Sequence, residues 1–89
     1  MTSSKRVQYR GQVQGVGFRY AARQLAEDFP VAGYVRNLPN GEVELVAEGP
    51  AEEVDRFLEA IDRRMAGYIT GRTVNVQEPG GFQGFGIRH

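Results

Sequence analysis

The stretch Gly11-Gln12-Val13-Gln14-Gly15-Val16-Gly17-Phe18-Arg19 decides how the rest of the chain is read. Upstream of it, Val7, Tyr9, Gly11 and Val13 alternate with Arg6, Gln8, Arg10 and Gln12, the pattern of a half-buried strand over Arg6 to Val13. Downstream, Phe18, Ala21, Ala22, Leu25, Ala26 and Phe29 fall at helical spacing until Pro30 ends the run. That spacing predicts a helix over Tyr20 to Asp28. Two glycines thus stand where a strand hands over to a helix. Such a junction exposes backbone N–H groups at the positive end of the helix, where an anion is favoured. Arg19 falls in or beside the first turn, where the dipole disfavours a cation. An anion held between the guanidinium and the N–H groups accounts for the placement; a surface Arg lying along the helix is the other account. The glycines alone carry little, because a tight turn also asks for Gly. The loop is not a Walker A motif, since no Gly-Lys-Ser/Thr follows. It is not a dinucleotide fingerprint either, since Tyr20 occupies the third glycine's place.

Working outward, Gly33 to Leu38 reads as a second strand, Pro39-Asn40-Gly41 as a turn and Glu42 to Gly49 as a third strand. In that third strand Val43, Leu45 and Ala47 share one face, and Glu42, Glu44 and Glu48 share the other. Pro50 opens a second helix, with Glu52 and Glu53 in its first turn and Arg63 and Arg64 in its last. Its apolar stripe is Val54, Phe57, Leu58, Ile61 and Met65, and Gly67 is its stop. A fourth strand covers Thr73 to Gln77, and a short last one holds Phe82, Phe85 and Ile87. The order β-α-β-β-α-β plus a short C-terminal strand predicts an α+β, ferredoxin-like sandwich: an antiparallel sheet with both helices on one face. In that arrangement the first two strands run parallel with the third between them. The glycine loop and Asn37 then lie at one sheet edge, roughly 10 Å apart at ~4.8 Å per strand.

Size and composition narrow the classes. Eighty-nine residues make one domain, 1–89, with residues 1–4 as a disordered tail. Eleven basic residues balance eleven acidic ones, so no bulk field draws in nucleic acid or an anionic membrane. All the basic residues but Lys5 are Arg, which suits bidentate anion contacts. The absence of cysteine excludes disulfides, thiolate nucleophiles and zinc–thiolate sites. His89 is the only histidine, which argues against His-based triads and multi-histidine metal sites. Met1-Thr2-Ser3-Ser4 leads into no apolar run, so neither a signal peptide nor a membrane span is expected. The expected location is cytoplasmic.

Asn37 is the second informative residue, because Asn is poor in strands. Either it ends the strand and bonds its own turn, or its amide holds a water and donates to a ligand. Around the loop there is no Cys, no His within the run and no acidic pair; Glu27 and Asp28 sit at the far end of the helix. Chemistry at such a place relies on charge neutralisation and positioning. Phosphoryl transfer fits if the leaving group departs without a proton. A carboxylate leaving from an acyl phosphate does so; the alkoxide of a monoester does not. The inferred substrate is a carboxyl-phosphate anhydride attacked by water, with no metal and no cofactor.

The run Gly11 to Arg19, then Gly33-Tyr34-Val35-Arg36-Asn37-Leu38-Pro39-Asn40-Gly41 and Val43 to Gly49, resembles the acylphosphatase family in order over residues 6 to 65. Phe85-Gly86-Ile87-Arg88 is similar to that family's last strand. The resemblance implies a ferredoxin-like fold and metal-free hydrolysis of acyl phosphates to carboxylate and phosphate. It implies that Arg19 binds the phosphate, with Gln14, Gly15, Val16, Gly17 and Phe18 around it, and that Asn37 orients the attacking water. The substrate phosphate itself takes the water's proton in this picture. His89 stands where the family commonly has Tyr, Phe29-Pro30-Val31 is an unusual joint, and Gly67 to Arg72 has no match; none of these is expected to touch the site.

Two other readings remain open. A non-catalytic module that binds phosphate or an acyl phosphate uses the same residues without turnover; the end of the chain at His89 favours a free-standing enzyme. An RNA-binding sheet needs open-face aromatics and a basic surround, and the Glu42, Glu44 and Glu48 row argues against it. Phe82 and Phe85 either cover the end of the core or pair two copies; a monomer is expected.

Overall fold

Alternation places Val7 and Tyr9 on one face of the first strand, and in the computed structural model, which describes Met1–His89, neither has any exposed surface. The elements are β1 (Thr2–Gly11), α1 (Phe18–Ala26), β2 (Ala32–Asn37), β3 (Val43–Pro50), α2 (Ala51–Arg64), β4 (Ile69–Gln77) and β5 (Phe85–Ile87). They form one five-stranded sheet in the order β4-β1-β3-β2-β5. β3 is antiparallel to both β1 and β2, so β1 and β2 run parallel on either side of it. Both helices cover one face, and the architecture is the ferredoxin-like α+β sandwich. The sheet is nevertheless mixed rather than wholly antiparallel. β5 pairs with β2 in parallel, Gly33 opposite Phe85 and Val35 opposite Ile87.

The core lies between sheet and helices. Val7, Tyr9, Val35, Val43, Leu45 and Ala47 meet Phe18, Ala21 and Ala22 of α1 and Val54, Phe57 and Ile61 of α2. Each large side chain removed from water contributes about 1.5–3 kcal/mol. Phe57 packs at 5.7 Å from Phe29 and 5.4 Å from Phe85, so it holds the joint after α1 and the last strand to the same helix. Tyr9 and Phe18 meet at 4.9 Å, which fixes the first residue of α1 on β1.

Several expectations are corrected. Thr2, Ser3 and Ser4 are not a loose tail: they pair with Pro50, Gly49 and Glu48, and Ser4 is 1% exposed. Their backbone groups gain ladder bonds that polar side chains did not advertise. β4 begins at Ile69, not Thr73, because its first residues pair with Arg10 and Gly11 across a register shift. α1 ends at Ala26, where N–H groups of Asp28 and Phe29 turn back to carbonyls three residues earlier.

Of the glutamate row, Glu44 and Glu48 in β3 are buried, whereas Glu42 lies just before the strand and is half-exposed. Glu44 is 1% exposed and accepts from Arg6 Nε at 2.6 Å, Arg36 Nε at 2.6 Å and Tyr34 Oη at 2.9 Å. Burial pushes its carboxyl up, but these donors outweigh that and hold it below the ordinary value. Glu48 is 6% exposed and accepts from the N–H groups of Gly80 at 2.8 Å and Phe82 at 3.0 Å. Burial opposes ionisation there too, and the backbone donors win. Glu48 thereby anchors the segment that leads into β5.

Candidate functional site

Where β1 ends, the chain must reverse into α1 within a few residues, and Gly15 and Gly17 do so at φ +77° and +79°. Neither faces a neighbour that a β-carbon would strike, so glycine serves conformation there, not space. Gly17 is the N-cap of α1; no side chain caps the helix and no acid lies in its first turn. The first helical bond runs from Ala21 N–H to the Gly17 carbonyl at 2.9 Å. The N–H groups of Gly15, Val16, Gly17, Phe18, Arg19 and Tyr20 consequently have no backbone partner. An uncapped helix start with Arg19 as its second residue is an electropositive corner.

That corner opens into a cavity of about 150 Å³ lined by Val13, Gly17, Phe18, Arg19, Tyr20, Asn37, Ile87 and His89. Arg19 and Asn37, predicted from separate segments, therefore share one cavity. Asn37 ends β2 opposite Val43. Its side chain does not make the turn's hydrogen bond; Asn40 Oδ1 does, accepting from Glu42 N–H at 3.0 Å. Arg19 takes part in no ion pair, and no Asp or Glu side chain lines the cavity.

Gln14, Gly15 and Val16 do not line the cavity. Gln14 Nε2 instead donates to the carbonyls of Leu38 and Glu42, both at 2.8 Å. Its side chain spans from the glycine loop to the β2–β3 turn and holds the two halves of the site together. Gly17 and Phe18 do line it.

His89 was expected to lie clear of the site, and the structure corrects this. The histidine lines the cavity, with Nδ1 3.4 Å from Arg19 Nη1. No sequence signal marked it: the parallel register of β5 on β2, Val35 opposite Ile87, sends the chain after Ile87 toward the end of β2. No group of three or more His, Asp or Glu side chains is arranged to hold a metal ion.

Sequence comparison places these features in a known context. The acylphosphatase family model matches residues 5–87. The chain belongs to the acylphosphatase family. It is 50% identical over 68 residues to an acylphosphatase of Methanospirillum hungatei, covering 76% of this chain and 75% of the relative. It is 42% identical over 80 residues to an acylphosphatase of Thermus thermophilus, covering 88% of this chain and 90% of that one. The crystal structure of acylphosphatase from Bacillus subtilis superposes with a TM-score of 0.89 at 33% identity, covering 100% of both chains. Family membership thus extends from β1 into β5 and includes the loop, Asn37 and Ile87. No helix is long and apolar enough to cross a membrane.

Proposed function

We propose that the chain hydrolyses the carboxyl-phosphate anhydride of acyl phosphates, releasing carboxylate and phosphate, without a metal. The phosphate sits at the uncapped start of α1, held by the Arg19 guanidinium and by backbone N–H groups of the Gly15–Phe18 loop. The Asn37 amide orients a water in line with the leaving carboxylate. Water oxygen bonds to phosphorus, the bond from phosphorus to the acyl oxygen breaks, and the carboxylate leaves with the bonding pair. The water's proton ends on the phosphate. A carboxylate needs no acid to leave, which matches a cavity lined by no Asp or Glu side chain.

The observation that carries this reading is that Arg19 and Asn37 line the same cavity at the helix start. The names of the relatives point to the same activity. Catalysis then consists of neutralising and orienting the phosphoryl group, for which preorganised donors suffice. The test is hydrolysis of acetyl phosphate and benzoyl phosphate in excess EDTA. Turnover that survives the chelator is expected. Saturable phosphate binding with no turnover would favour a non-catalytic module instead.

A further inference from the structure

We propose that the Tyr20 ring is the acyl subsite of the phosphate cavity and selects acyl phosphates whose acyl group is aromatic. The cavity at the start of α1 holds about 150 Å³. Pockets that enclose a whole small-molecule ligand hold about 300–1,000 Å³. This one therefore takes the phosphoryl group and leaves an acyl group of benzoyl size at its mouth. Val13 and Phe18 are buried and make the cavity's floor, whereas Tyr20 also lines it and is 60% exposed. The other exposed large apolar side chains, Met1, Tyr68, Val74 and Val76, line no part of it. Tyr20 is thus the aromatic surface that an acyl group emerging from the cavity meets.

Packing gives no account of an aromatic residue at this position. The Tyr20 ring joins none of the aromatic pairs that order the core, and no arginine stacks on it. Apolar ring surface left in water is recovered when a flat apolar group lies against it. Two rings gain more than their buried area, because offset or edge-to-face contact matches their quadrupoles. A methyl group, as in acetyl phosphate, offers little of either. Tyr20 follows Arg19 directly in α1, so one helical turn fixes both the cation that holds the phosphate and the ring beside it. The ring's position relative to the phosphate is set before substrate arrives, which lowers the ordering cost of the contact.

This subsite rests on the phosphate site and the activity proposed above, so the test reads binding and turnover separately. Affinity is measured by calorimetry with benzoylphosphonate and acetylphosphonate, whose carbon–phosphorus bond does not hydrolyse. KM and kcat are measured with benzoyl phosphate and acetyl phosphate. Tyr20→Ala removes the ring, and Tyr20→Phe keeps it. In Tyr20→Ala the benzoyl-to-acetyl affinity ratio is expected to fall by about tenfold, with a matching rise in KM for benzoyl phosphate relative to acetyl phosphate. Tyr20→Phe is expected to keep the ratio within about twofold of wild type. A ratio in Tyr20→Ala within about twofold of wild type would overturn the subsite, even if both affinities fell together. A loss in Tyr20→Phe equal to that in Tyr20→Ala would overturn it as well. The expected affinity ratios without turnover of either acyl phosphate would count against the hydrolase reading and support the role of Tyr20.

Discussion

The Gln14 side-chain amide donates to the Leu38 carbonyl at 2.8 Å, tying the glycine loop to the residue that follows Asn37. A second bond of the same length reaches the Glu42 carbonyl. The start of α1 and Asn37 come from different elements, and this amide is a direct polar link between their loops. Gln14→Ala leaves two partly buried carbonyls without that donor, a loss of about 1–3 kcal/mol. Urea melts should show that destabilisation, and benzoyl phosphate kinetics should show kcat/KM falling although Arg19 and Asn37 remain.

Glycine positions that look alike in sequence should respond differently to alanine. Gly17 sits at φ +79° with open space where a β-carbon would go, so Gly17→Ala costs backbone strain only, about 1–2 kcal/mol. Gly33 sits at φ +139° with a β-carbon position 1.9 Å from the Val46 carbonyl oxygen. Its substitution must push β2 off β3 and should prevent folding. Denaturant midpoints and soluble yield separate the two cases.

Acid sensitivity should trace to Glu44 and Glu48. Both carboxyls are held below their ordinary 4.5 in the folded state, so the unfolded chain binds protons first as pH falls. Their contribution to stability is full above about pH 4.5 and is lost as pH drops toward the lowered folded values. Glu48→Gln should be less stable than wild type at pH 7 and show a shallower decline between pH 5 and pH 3. Urea midpoints across that range check both; parallel curves for the two proteins would contradict the assignment.

Much of this arrangement was legible beforehand because periodicity reports burial. Val7, Tyr9, Phe57 and Ile61 declared one face of a strand or helix and occupy the core. Arg19 and Gly17 stood out as a cation and a glycine at a helix start, and both line the cavity there, whereas Gly15 does not. Glu44 and Ser4 were misread because alternation describes a face and not what covers it. Arginines and Tyr34 from neighbouring strands shield Glu44, and β3 pairs with Ser4. His89 was misread for a related reason: its neighbours come from α1 and β2, and only the pairing of β5 reveals them. Gln14 fell in the right loop, but its partners lie across the sheet.

The most direct test is steady-state hydrolysis of benzoyl phosphate by wild type, Arg19→Ala and Asn37→Ala, with phosphate as a competitive inhibitor. Arg19→Ala should lower kcat/KM by at least about a hundredfold and weaken phosphate inhibition. Asn37→Ala should lower kcat by about a hundredfold while phosphate inhibition stays near wild type, because a water-orienting amide acts on attack and not on anion binding. Rates for either variant within about twofold of wild type would contradict the assignment of the site.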